Sequence, residues 1–193
     1  GAKLVQVSTD YVFDGTSDRP YTVNDPTDPI QEYGVTKRDG ELAVVAEAPR
    51  AIVARLSFIY GIHKSTGKLD GFPAWGSSEL QAGNEIPLFT DQYVTPTRAG
   101  QAAETLLDLV DANTSGLFHV ASRDCMTPHR FGEIIAQRLG VAELIDKGVR
   151  ADVDRPAPRP AYTCLDVSKV KNELGRPQPT LGTDLDQIDL RQI

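Results

Sequence analysis

Apolar and polar residues run along this chain in blocks that predict strands, loops and helices in turn. Lys3-Leu4-Val5-Gln6-Val7-Ser8 is short and rich in aliphatic and β-branched residues, the pattern of a buried strand. From Thr9 to Ile30 the chain fills with Asp, Gly, Pro and Thr, and Pro20, Pro26 and Pro29 turn the residues before them away from helix, so a long loop is expected. Glu32 to Ala48 carries Val35, Leu42, Val45 and Ala46 among good helix formers and stops at Pro49, which predicts a helix despite Gly34 and Gly40. Ala51 to Leu56 is a second strand, and a glycine-rich stretch through Gly61, Gly67 and Gly71 leads to a helix from Phe72 to Ala82. Ile86 to Phe89, limited by Pro87, is placed at a sheet edge. Arg98 to Val110 has Ala102, Leu106 and Val110 at helical spacing.

Gly116 to Ala121 is the third strong strand. Thr127-Pro128 supplies a cap and a first-turn proline for a helix with Phe131, Ile134, Ile135 and Leu139 on one stripe and Gly140 at its end. Beyond Gly148 the segment Arg155-Pro156-Ala157-Pro158-Arg159-Pro160 reads as an ordered arm. Two short helices close the pattern, Val167 to Leu174 behind Asp166 and Asp184 to Leu190 behind Thr183. Strands alternating with helices predict an α/β class with a parallel sheet, and no internal repeat is present.

Composition narrows the function. The 193 residues are 40% hydrophobic and 24% charged, an ordinary globular mixture. A formal net charge of −7 argues against broad attraction to nucleic acid or anionic lipid. With no apolar run of membrane length and no leader pattern at Gly1, the expected location is the cytoplasm. Cys125 and Cys164 lack the spacing of a metal motif, and the histidines do not cluster with them, so no zinc site is expected and both thiols are expected to be free apolar fillers.

The chemistry-bearing pattern is Ser8-Thr9-Asp10-Tyr11-Val12-Phe13 at a strand end, followed by Tyr33-Gly34-Val35-Thr36-Lys37 at a helix start. Loops at the carboxyl ends of strands are where open α/β sheets bind ligands. On a helix Tyr33 and Lys37 share one face, where the ammonium favours the phenolate and the phenol serves as a general acid toward a carbonyl, with the Thr9 hydroxyl at the same oxygen. The spacing also fits an amphipathic helix with a solvated lysine: roughly 0.2 chance matches are expected, and a second, Tyr60 to Lys64, lies in a glycine-flanked stretch and is assigned to chance.

These residues resemble the extended short-chain dehydrogenase/reductases, and within them the dTDP-4-dehydrorhamnose reductase branch. The resemblance rests on Val7 to Gly15, Pro20-Tyr21, Pro26-Thr27-Asp28-Pro29, Tyr33 to Lys37 with Gly40-Glu41, Arg55 to Gly61, Asp91-Gln92 with Pro96-Thr97, Gly116 to Ala121, and Arg159-Pro160 through Asp166, in that order over nearly the whole chain. It implies part of a Rossmann-like doubly wound parallel sheet with a small α/β substrate-binding domain interleaved. Residues 1–61 and 97–122 are then expected in the dinucleotide-binding part, and 62–96 with 123–193 in the substrate part. The implied activity is reduction of the 4-keto group of a deoxy-sugar nucleotide with NADPH, or NADH, and no metal. A nucleotide sugar is the expected partner and a homodimer is compatible with the resemblance.

By the same resemblance Thr9, Tyr33 and Lys37 are catalytic. Tyr33, Lys37 and Ser57 face the cofactor, and Asp10, Tyr11, Phe58, Gln92 and Arg159 face the substrate. Phe58 stands where this branch more often has tryptophan. Each residue also has a plainer reading: Asp10 as a turn cap, Gln92 as a solvated loop residue, Arg155 and Arg159 as solvated arginines, Trp75 as a core or interface aromatic, His119 as a satisfied core histidine. No Gly-x-Gly-x-x-Gly turn occurs, so the pyrophosphate-binding unit that the family places first is missing, and the chain is expected to be the C-terminal, inactive portion of a longer reductase. A regulatory subunit of the same superfamily, or an epimerase or dehydratase, is the alternative. Asp10-Tyr11 after the threonine, rather than Asp-Glu, favours the reductase.

Overall fold

The computed structural model describes residues 2–191. Its central layer is a parallel sheet in the order β1 (Val5–Thr9), β2 (Ile52–Leu56), β7 (Gly116–His119), so two strands distant in sequence flank a middle strand buried from Ile52 to Arg55. Register pairs Ser8 and His119 with Arg55 from either side. Between these strands run α1 (Glu32–Glu47), the antiparallel pair β3 (Ile59–Ile62) and β4 (Leu69–Asp70), α2 (Phe72–Gln81), β5 (Ile86–Phe89), β6 (Thr97–Arg98) and α3 (Ala99–Asp111). After β7 come α4 (Pro128–Leu139), β8 (Ile145–Gly148), α5 (Ser168–Leu174) and α6 (Leu181–Leu185). β6 pairs with β3, and β8 with β5, both in parallel.

The apolar side chains gather in separate cores. Ile52, Ala54, Leu109, Phe118 and Val170 pack between the parallel sheet and α3 and α5. A second core, with Tyr60, Leu80, Leu88, Phe131, Ile135 and Leu185, is built from α2, α4, β5 and the chain end. At about 25 cal/mol per Å² of apolar surface, each fully buried Leu, Ile or Phe side chain contributes roughly 1.5–3 kcal/mol. A third cluster, Val12, Phe13, Tyr21, Ala121 and Leu165, seals the loop after β1.

The start and stop signals of α4 act as expected. Thr127 Oγ1 accepts from Arg130 N at 3.1 Å, and Gly140 adopts a left-handed conformation at φ 81°. The last helix lies earlier than expected. Thr180, not Thr183, is its cap, because Leu181 and Leu185 must enter the second core while the buried Asp184 carboxylate accepts from Arg98 Nε at 3.1 Å. For α5 the cap position falls on Val167, although Asp166 still accepts from Ser168 N at 2.9 Å. Strands β3, β4, β6 and β8 were not expected. Each is only two to four residues long and is defined by its partner, with Gly61 inside β3 masking the pattern.

Two expectations are corrected. Cys125 and Cys164 are joined in a disulfide, with Cα atoms 5.4 Å apart, so neither is a free thiol. Their 39-residue separation hid a proximity created by Val94, which bridges to Met126 next to Cys125 and lies beside the Tyr93–Tyr162 bridge near Cys164. The apolar residues of α1 are not its buried face: Leu42 is 62% and Val45 59% exposed, and only Gly34 and Glu41 are buried. That face is set by a close approach. A Cβ on Gly34 would stand 2.1 Å from the Tyr11 carbonyl oxygen, so no other residue fits there without moving the helix.

Candidate active site

The site is built where β1 ends. Thr9 closes the strand and caps the 3-10 turn Asp10–Val12, its Oγ1 accepting from Tyr11 N at 3.2 Å and donating to Asp10 Oδ1 at 3.0 Å. The rest of the Asp10 carboxylate is also engaged. Ser57 Oγ, immediately after β2, donates to Asp10 Oδ2 at 2.8 Å and accepts from Thr95 N at 3.2 Å. Burial holds the Asp10 carboxyl above its ordinary value, with the hydroxyls of Thr163, Ser57 and Thr9 opposing. Asp10 and Ser57, expected at substrate and cofactor, therefore have side chains engaged in the wall behind Thr9.

Tyr33 and Lys37 stand on α1 in front of that wall. Gln31 caps the helix, its Oε1 accepting from Tyr33 N at 2.9 Å, and the Tyr33 ring is 50% exposed. Lys37 Nζ lies 5.8 Å from the centre of the Tyr33 ring and donates to the Val7 carbonyl at 3.3 Å, which leaves two of its three protons free. Tyr11 meets Tyr33 edge to face at 6.2 Å. The second Tyr-x-x-x-Lys match is not such a pair, since Tyr60 is buried in β3 and Lys64 lies on an exposed turn.

Tyr11, beside this pair, feels the charge of two arginines. Its phenol is held above the ordinary value by burial first and then by the charge of Asp10, against the pull of Arg159 and Arg155. Those two arginines, with Gln92, line an aromatic cavity of about 410 Å³ walled by Phe58, Phe72, Trp75 and Phe89. Arg155 lies over the Phe89 ring at 5.4 Å, and burial first, then the neighbouring Arg159 charge, pushes its guanidinium down. Neither arginine joins an ion pair among the described residues. Gln92 is only 3% exposed, and its Nε2 has no partner among the described residues. A buried amide donor without a partner costs about 1–3 kcal/mol.

Phe58 holds its place in that wall with φ 44°, a left-handed conformation costing roughly 1–3 kcal/mol for a residue with a side chain. Its carbonyl accepts from Thr97 N at 3.2 Å. The structure thus brings together Tyr33, Lys37, Thr9 and Tyr11 at one end and Phe58, Gln92 and Arg159 at the other. Phe72, Phe89 and Arg155 were not among the expected site residues, and Trp75 is 47% exposed in the cavity wall rather than a core residue. The signal available for them was only the recurrence of aromatics around Arg-bearing loops. His119 is a core histidine: Nδ1 lies 3.1 Å from the Asp166 carbonyl, while Nε2 has no close partner among the described residues. Burial first, then the Arg55 charge, lowers it to about 4.

A parallel sheet with this tyrosine and lysine at its strand ends defines a Rossmann-like fold of the kind found in reductases and dehydratases acting on nucleotide sugars. More particularly, the chain belongs to the family described as the RmlD substrate binding domain, which matches residues 1–189. It is 53% identical over 187 residues to a Haloferax volcanii protein named "Probable low-salt glycan biosynthesis reductase Agl14", covering 96% of this chain and 62% of that one. It is 37% identical over 174 residues to a dTDP-4-dehydrorhamnose reductase of Mycobacterium tuberculosis, covering 86% of this chain and 55% of that one. The crystal structure of a dTDP-4-dehydrorhamnose reductase from Clostridium acetobutylicum superposes with a TM-score of 0.86 at 28% identity, covering 97% of this chain and 65% of that one. The chain therefore spans roughly three fifths of the length of the relatives it matches.

Proposed function

We propose that the protein reduces the 4-keto group of a deoxy-sugar nucleotide, using a nicotinamide dinucleotide, NADPH before NADH. The observation that carries this reading is the exposed Tyr33–Lys37 pair beside the turn that Thr9 caps, with Tyr11 edge to face on Tyr33 and within the field of two arginines that line an aromatic cleft and join no ion pair among the described residues. The lobe of residues 1–61 and 97–122 would hold the nicotinamide, and the lobe of 62–96 and 123–193 the nucleotide sugar. Lys37 fits a ribose, because two ammonium protons remain after its bond to Val7. A bound nicotinamide supplies the hydride for the carbonyl carbon.

The chain's own residues supply the rest. Tyr33 donates its phenolic proton to the carbonyl oxygen, and Lys37 steadies the phenolate left behind. Thr9 turns its hydroxyl from Asp10 to the same oxygen. Arg155 and Arg159 present paired donors to the diphosphate, the aromatic wall receives the nucleoside base, and Gln92 Nε2 donates to a base carbonyl.

Because the chain spans roughly three fifths of the length of its relatives, the test is made on the product of the complete gene. NADPH oxidation is followed on a panel of dTDP-4-keto-6-deoxyhexoses with the native protein and Tyr33→Phe. Turnover that the substitution lowers by about 10²–10⁴-fold, with KM little changed, is expected for a lost general acid. Cofactor binding without turnover on any sugar would replace this reading with that of a regulatory subunit.

A further inference from the structure

α1 has a mechanical difficulty. It must hold Tyr33 and Lys37 in register with Thr9, yet only two of its sixteen residues are buried. Those two, Gly34 and Glu41, are seven residues apart, two turns along the same face. Gly34 is a contact without attraction: it lets the first turn rest on the Tyr11 carbonyl, where a Cβ would stand at 2.1 Å. Glu41 is the opposite. Its Oε1 accepts from Arg55 Nε at 2.8 Å and its Oε2 from Arg55 Nη2 at 2.6 Å, with both side chains about 95% buried.

Arg55 is well placed as the fixed end of this bond. It lies on β2, the middle strand, paired with Ser8 on one side and His119 on the other. The Phe13 ring covers its guanidinium carbon at 5.0 Å, and its remaining Nη1 has no other partner among the described residues. A planar guanidinium bound through two parallel hydrogen bonds fixes direction as well as distance, which a lysine does not. Lys37 sits between the two contacts, three residues after Gly34 and four before Glu41, and Tyr33 precedes Gly34 directly.

We propose that the buried Glu41–Arg55 pair is a positioning device: with Gly34 it sets the rotation and height of α1 so that Tyr33 and Lys37 face the reacting carbonyl beside Thr9. This rests on the reductase reading above. Neither residue touches substrate, and the pair acts through the helix it anchors.

The test uses the complete gene product with NADPH and a dTDP-4-keto-6-deoxyhexose. Glu41→Gln removes the charge at nearly constant volume, and Asp184→Asn does the same to the Arg98–Asp184 pair, whose carboxylate is buried and which ties α6 to β6. Below their melting temperatures, Glu41→Gln is expected to lower kcat about 10–100-fold, the scale on which small misplacements of catalytic groups act, with KM within about twofold. Asp184→Asn is expected to lower the melting temperature and leave kcat in place. In the ligand-free protein, amide exchange over residues 34–38 should rise in Glu41→Gln and not in Asp184→Asn. Should Glu41→Gln fail to fold, Glu41→Asp, which retracts the carboxylate by one methylene, carries the same measurements. A folded variant with unchanged kcat and unchanged exchange overturns the proposal. An active Tyr33→Phe enzyme overturns the reductase reading instead, whatever the Glu41 variants do.

Discussion

The wall behind Thr9 and the cleft beyond Tyr11 are a few residues apart and handle their polar groups in opposite ways. In the wall the charged groups are matched, Glu41 holding Arg55 through two bonds and Asp10 held by Thr9 and Ser57, although Arg55 Nη1 and His119 Nε2 have no partner among the described residues. In the cleft, two arginines join no ion pair and Gln92 Nε2 has no partner among the described residues, Phe58 is strained, and Trp75 is half exposed. The difference lies in charge pairing, since both regions keep a donor without a partner. A satisfied buried charge has no driving force to meet a ligand, whereas an unsatisfied donor beside an apolar wall gains the full bond when one arrives.

The sharpest way to disturb this contrast is at the disulfide, which closes the segment carrying Arg155 and Arg159 onto the scaffold. By loop-closure entropy a bridge of this span contributes about 4 kcal/mol. Changing both Cys125 and Cys164 to Ser should lower the melting temperature by about 8–16 °C on the scale for chains of this size. An unchanged melting curve with and without reductant would show that packing alone holds the arm.

On the scaffold side, His119 is buried neutral, and its folded value near 4 lies below the ordinary 6.5. The unfolded chain therefore takes up the proton first as pH falls. This contribution is fully present above pH 6.5 and is lost on the way down to about 4, amounting to about 3 kcal/mol. Asp10 and Asp184, whose carboxyls burial raises, act in the opposite sense, binding protons more readily when folded. The His119 share is thus read as the difference in pH slope between the native protein and His119→Gln in urea melts. Equal slopes would remove it from the scaffold's account.

In the cleft the effects should fall on binding rather than stability. Arg159→Ala is expected to weaken affinity for a nucleotide sugar by about 1.5–3 kcal/mol, the scale of a hydrogen bond to a charged group, with melting unchanged. Titration calorimetry decides it, and a loss of stability instead would make Arg159 scaffold. The smallest effect belongs to Gln92→Leu, about 1 kcal/mol in affinity, expected for a nucleotide sugar whose base offers a carbonyl and not for free sugar phosphate.

Some of this was legible along the chain. Helix α4 carries its own cap, proline and terminal glycine, and β1, β2 and β7 are apolar enough to be strands in any context, so local chemistry alone determined them. Tyr33, Gly34 and Lys37 lie within one short motif whose spacing puts them on a single helix. Other features depend on which distant segments meet. The four short strands exist only in their pairings, α6 slid three residues toward the start of the chain to seat Leu181 and Leu185, and Cys125 met Cys164 across Val94. The exposed face of α1 was decided the same way, by an ion pair with Arg55 fourteen residues downstream rather than by its own leucine and valines. Capping and strand formation draw on neighbours within a few residues and so can be read along the sequence. Burial, pairing and charge matching draw on whatever the fold brings near, and only the tertiary structure decides that.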